Sequence, residues 1–171
     1  LAFEAAHGED ADALAWVATT RGAVFPLKDG PAYAANLAQK ALRLNPECVD
    51  AMGVLAMLAM QSGNAREAKS LFSRALSLEP DNLEVLTALG VLEFNVGKLE
   101  TAKALLQQVL RVDPYRANAL EGIVLIGMKT RRFGEAVALC KRYLEFCQLA
   151  RQPPAPQMLI LNVQCSERVG R

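Results

Sequence analysis

Three prolines, Pro46, Pro80 and Pro114, stand 34 residues apart in turn, and the segments between them are written to one pattern. A fixed period of roughly 20 to 50 residues marks a chain built from stacked copies of one small unit. With each proline placed at position 32 of its unit, residues 49–82, 83–116 and 117–150 fall into register. Position 4 is then Met52, Leu86 and Leu120, and position 7 is Leu55, Leu89 and Ile123. Position 20 is Ala68, Ala102 and Ala136, and position 28 is Leu76, Leu110 and Leu144. Large residues three apart share one face of a first helix, and alanine at 20 admits a second helix close against it, antiparallel. Gly63 and Gly97 at position 15 supply the turn, where a helix end commonly requires a positive φ.

With this pattern the chain resembles the tetratricopeptide repeat (TPR) family. That family carries large residues at positions 4, 7, 11 and 24, small ones at 8, 20 and 27, and proline at 32. Ala56 and Gly90 match at 8, Phe72 and Leu106 at 24, and Ala75 at 27. Position 11, often tyrosine in the family, is Ala59, Glu93 and Gly127 here. Val124 at 8, Arg131 at 15 and Gln148 at 32 also depart, so the local geometry of the third unit is where the pattern is weakest.

The resemblance implies an all-α fold, a right-handed α-α superhelix forming one domain over residues 1–171. Three regular repeats (49–82, 83–116 and 117–150) are preceded by an irregular first repeat over 1–46. A proline-rich break and a terminal helix follow over 151–171. Helices are expected at 49–61, 65–78, 83–95, 99–112, 117–129 and 133–147. In the irregular repeat Asp10 caps a helix from Ala11, with Leu14, Val17 and Ala18 at positions 4, 7 and 8. Ala34 follows Leu14 by 20 residues where the period allows 16, so residues 25–30 are read as a lengthened loop, with a second helix at 31–44. That helix stops before Asn45, because a residue preceding proline is pushed out of the helical region. Asp81 and Asn82 lie where a cap belongs. Pro153, Pro154 and Pro156 interrupt the periodicity. It resumes with Met158, Leu161 and Cys165, while Ile160 and Val163 ask for a covering surface, either as a cap on the last unit or as a link to further chain.

Composition narrows function mainly by exclusion. Lysine plus arginine number 19 against 18 acidic residues, a formal charge of +1, which argues against a partner selected by charge, whether nucleic acid or an anionic membrane. Few aromatics and about half the residues apolar suit a helical core. The longest apolar run, 54–60, is far short of a membrane span. The chain opens at Leu1 without methionine, as a fragment or a processed chain does. Cys48, Cys140, Cys147 and Cys165 lack metal or disulfide-scaffold spacing and are read as ordinary thiols of a reducing, intracellular compartment, cytoplasm or nucleus. Cys140 and Cys147 stand seven apart without further ligands, so no metal is expected. The one histidine, His7, has no nucleophile paired with it, and no phosphate-binding glycine loop is present, so neither catalysis nor a cofactor is expected. Glu93 is expected to reach the helix edge. The basic cluster of Lys129, Arg131, Arg132, Lys141, Arg142 and Arg151 has no interleaved aromatics for base stacking and is read as solvated.

The resemblance also implies where a ligand would sit. In the family, positions 2, 5, 9, 12 and 13 of the first helices face a concave groove. They correspond to Asp50, Gly53, Met57, Met60 and Gln61, then Glu84, Thr87, Val91, Phe94 and Asn95, then Asn118, Glu121, Leu125, Met128 and Lys129. Methionine and aromatic side chains here suit an amphipathic helix or extended peptide of a partner protein, with Asp50, Glu84 and Glu121 as an acidic rim. The competing reading buries these residues against neighbouring helices. The carboxylate clamp of co-chaperones is not expected, because its positions are Gly53, Met57, Ala88, Asn118 and Gly122, with no cation among them. The functional expectation is a non-catalytic adaptor or scaffold within a multiprotein assembly. Alternatives are a dedicated secretion-type TPR chaperone, a helical-repeat RNA-binding protein, and the substrate-selecting part of a larger enzyme.

Overall fold

The computed structural model describes residues 30–169. Among them the chain forms eight α-helices and no strand: α1 (Gly30–Leu44), α2 (Val49–Gln61), α3 (Ala65–Leu78), α4 (Leu83–Asn95), α5 (Leu99–Val112), α6 (Ala117–Lys129), α7 (Phe133–Leu149) and α8 (Pro156–Val169). None is long and apolar enough to cross a membrane. The helix expected from Ala11, its Asp10 cap, most of the lengthened loop and His7 lie outside the described residues. The chain divides into two compact units, one ending at Ala88 and the other beginning at Leu89, with α4 carrying the boundary.

In the first unit α2 packs against both α1 and α3. Its core is small-residue packing, with Ala38, Ala41 and Ala51 sealed from solvent beside Leu37, Cys48 and Val54. Alanine lets helix backbones approach, and Phe72, 1% exposed, supplies bulk between Ala68 and Ala75 on the inner face of α3. Asn64 caps α3: its Oδ1 accepts from the Glu67 backbone N–H at 3.3 Å, and its Nδ2 donates to the Glu67 carboxylate at 2.6 Å. Arg74 reaches back from α3 to donate to the Pro46 carbonyl at 2.6 Å, tying the second helix to the turn before the first. Asn82 caps α4 as expected, accepting from the Val85 N–H at 3.1 Å.

In the second unit α5 packs on α6, α6 on α7, and α8 on both α7 and α6. The close approach turns on Leu106 of α5, which is fully buried. A Cβ on Gly90 would come within 2.9 Å of its side chain and one on Gly122 within 2.5 Å, so a leucine knob fills the space two glycines leave. Met158, Leu161 and Cys165 place α8 in one cluster with Cys140, Tyr143 and Cys147 of α7 and with Leu120 and Val124 of α6. The Tyr143 hydroxyl accepts from the Ala155 N–H at 3.0 Å, anchoring the proline-rich connection. Tyr115 stacks on Phe146 with ring centroids 3.8 Å apart and planes within 3°.

The turns between paired helices are copies of one another. After α2 the Gly63 N–H donates to the Met60 carbonyl and the Asn64 N–H to that of Ala59. After α4 Gly97 and Lys98 repeat this with Phe94 and Glu93, and after α6 Arg131 and Arg132 with Met128 and Gly127. These are paired C-terminal capping bonds, and they require a left-handed residue. Gly63 and Gly97 have φ of 81° and 84°, and Arg131 adopts 62°. The third unit thus keeps the backbone geometry despite losing the glycine.

The missing proline does have a visible effect. The second helices α3 and α5 stop at Leu78 and Val112, two residues before Pro80 and Pro114. With Gln148 in place of proline, α7 runs on to Leu149, past the expected end at Cys147. The same paired capping then forms at Arg151, with φ of 53°, and Gln152 donates to the Cys147 carbonyl at 2.9 Å.

Glu93 corrects an expectation. It is buried, 1% exposed, rather than reaching the helix edge. Its place four residues after Leu89 and seven after Leu86 puts it on the inward face with those two buried leucines.

Candidate functional site

The residues expected on the first-helix faces have different fates in the two units. On α2, Met57 is 38% exposed, Met60 is half-buried, and Asp50 and Gln61 are exposed at the two ends. A Cβ at Gly53 would meet no neighbouring atom within 4 Å, so the middle of this face is open. At the start of α4, Glu84 is exposed. Thr87 is not available to a ligand: it is buried, and its hydroxyl donates to the Leu83 carbonyl one turn back at 2.6 Å. A threonine inside a helix commonly closes this local bond.

In the second unit Val91 and Phe94 of α4 are half-buried and Asn95 is exposed. On α6, Asn118 and Lys129 are exposed, while Glu121, Leu125 and Met128 are half-buried. Leu125 and Met128 lie against the α6–α7–α8 cluster, so their inner surfaces support the fold and their outer surfaces remain accessible. Lys129 joins the two helices, with its Nζ 5.0 Å from the centroid of the Phe94 ring. In the second unit this gives partly exposed apolar side chains on α4 and α6, with a cation over the Phe94 ring.

The titratable groups buried nearby include cysteines and a tyrosine of the second unit. Burial pushes the Cys140 thiol up to about 11, with Cys165 adding to the effect, and burial also raises Cys165 itself. A thiol held protonated at neutral pH is a weak nucleophile. Burial likewise raises the Tyr143 phenol. Among the described residues no group of three or more His, Cys, Asp or Glu is placed to hold a metal ion. Of the basic cluster, Arg131, Arg132, Lys141, Arg142 and Arg151 are exposed, and Arg132 pairs with Glu135 at 2.7 Å.

One feature of the second unit was not anticipated. A pocket of about 290 Å3 opens between α5, the end of α6 and the start of α7, over an apolar floor that includes Ile123, Ile126 and Leu139. The signal for it was Gly127, at a position where the family commonly carries a large residue.

The tetratricopeptide repeat profile matches residues 31–92 and again 59–121, so that together the matches span more than half of the chain. The chain belongs to the tetratricopeptide repeat family. The TPR fold commonly mediates protein–protein interaction, and the solved structures similar to this chain carry it too. A subunit of the APC/C hetero-tetramer Cut9–Hcn1 superposes with a TM-score of 0.80 at 15% identity, covering 98% of this chain and 32% of that one. PilW, a type IV pilus biogenesis factor, gives 0.77 at 16% identity, covering 98% and 74%. A thermophilic TPR protein of Thermus thermophilus gives 0.73 at 20% identity, covering 98% and 86%. No curated protein sequence matches significantly.

Proposed function

We propose that this TPR chain is a non-catalytic interaction module, an adaptor or scaffold that holds a peptide or amphipathic helix of a partner protein on its first-helix faces, within a larger assembly. The observation that carries this reading is the strip of Val91, Phe94, Leu125 and Met128, partly exposed in a unit whose core is otherwise closed, with Lys129 over Phe94. An aromatic ring and two long flexible side chains on adjacent helices supply an anchor and an adaptable wall. Met57 and the open surface at Gly53 offer the same chemistry in the first unit. The assembly part of the proposal draws on the pilus biogenesis factor and the hetero-tetramer subunit among the similar folds.

The test is a comparative pull-down with intact protein and the variants Met57→Glu and Phe94→Glu, each checked for native helicity. A charge placed on an anchor surface is expected to release partners that depend on it. If both variants remain folded and retain every partner of the parent chain, these faces are not the binding surface.

A further inference from the structure

We infer that the pocket between α5, α6 and α7 is a second recognition site, which takes one large apolar side chain of a partner segment flanked by a basic residue on one side and an acidic residue on the other. It goes beyond the first-helix faces and rests on the reading of the chain as a protein-binding module.

The pocket borders a point where the repeat departs from its pattern. At position 11 the preceding unit places Glu93, buried, and the third unit places Gly127. A Cβ built on Gly127 would lie 3.4 Å from the Cβ of Ala136 and 3.6 Å from the Arg132 carbonyl, both in residues that line the pocket. These are ordinary van der Waals distances, so glycine lets the end of α6 lie close to the start of α7 at the edge of the pocket. At about 290 Å3 it lies just under the roughly 300–1,000 Å3 usual for small-molecule sites, which suits a single side chain. Buried Ile126 and half-buried Ile123 and Leu139 give it an apolar interior.

Charge at the mouth defines what surrounds that side chain. Arg132 is neutralised by Glu135 at 2.7 Å. On the facing wall Glu100 and Lys103 stand one turn apart on α5, and among the described residues neither has an ion-pair partner. Residues at this spacing are neighbours on a helix surface and commonly pair. Two opposite charges left side by side at the rim of an apolar pocket complement a segment that carries both signs around its anchor.

The experiment follows amide resonances of the full chain by two-dimensional NMR during titration with capped hexapeptides. The first probe has phenylalanine between lysine and glutamate, the second replaces phenylalanine with alanine, and the third has lysine on both sides of phenylalanine. The first is expected to shift Gly127, Thr130 and Ala136 saturably, and the alanine probe to bind about tenfold more weakly or worse. Lys103→Glu, a surface change whose native spectrum is checked first, should reverse the preference in favour of the third probe. Phe94→Glu should leave pocket binding unchanged, which separates this site from the first-helix faces. Equal binding of the alanine probe, shifts confined to Phe94 and Lys129, no saturable shifts at all, or unaltered preference in Lys103→Glu would each overturn the assignment.

Discussion

The α2–α3 hairpin and the α6–α7 hairpin share a backbone and an apolar spacing but not their turn, cap and terminal residues. The first has glycine at its turn, a side-chain cap on its second helix and proline at its end: Gly63, Asn64 and Pro80. The second has Arg131, Arg132 and Gln148 at the same positions. Yet the turn bonds agree to within a few tenths of an ångström, and Arg131 accepts the left-handed conformation that glycine would take without steric cost. Packing of the paired helices therefore imposes the turn, and local residue preference only sets how hard the turn is to make. At the last residues of α7, where Leu149 is largely exposed, the missing proline shows in a longer helix.

The primacy of packing can be tested by moving residues between hairpins and measuring stability by urea unfolding. Packing should cost most. Leu106→Ala is expected to lose about 2–5 kcal/mol, and adding Gly122→Ala to it should recover part, since the new methyl enters the space vacated and replaces a helix glycine worth about 1 kcal/mol. Further loss on adding Gly122→Ala would show that Leu106 is not a knob held between glycines. Exchange of turn residues comes next. Arg131→Gly should stabilise and Gly97→Arg destabilise, each by about 1–2 kcal/mol, and no change in either would mean the turn is made independently of its left-handed residue. Caps follow, with Asn64→Ala costing about 1 kcal/mol and Lys98→Asn, which supplies the same cap to α5, gaining a smaller amount.

The smallest effect appears only in alkali. The folded state holds Cys140 protonated up to about 11 against an ordinary 9.0, so its contribution is whole below pH 9 and is lost as pH rises through 11. Melting curves from pH 8 to 10.5 should therefore fall less steeply for Cys140→Val than for the parent chain, and parallel slopes would count against a buried thiol.

Helix positions were legible because prolines, turn glycines and apolar spacing all carry the same period; α2 through α6 begin and end where the pattern says. What escaped were matters of contact. Position 11 was recognised as atypical, and its spacing after Leu86 and Leu89 points Glu93 inward, but that a carboxylate would stay buried there rather than reach the helix edge is not written in the spacing. Thr87 was placed on the correct helix and then lost to a hydrogen bond with its own backbone. The pocket was foreshadowed only as an absence, a glycine where bulk is usual, and an absence says nothing of which charges will stand around it. Ile160 and Val163 were read as needing cover, yet they remain 53% and 57% exposed, since Met158, Leu161 and Cys165 alone face the core.

The open turns have a practical side. Nothing lies within 4 Å of where a side chain would begin at Gly63 or Gly97, so the tip of each hairpin looks onto free solvent while its stem is clamped. A short tag or a dye attached beside either tip would dangle without prising helices apart, giving an optical handle near the proposed binding faces that leaves them uncovered.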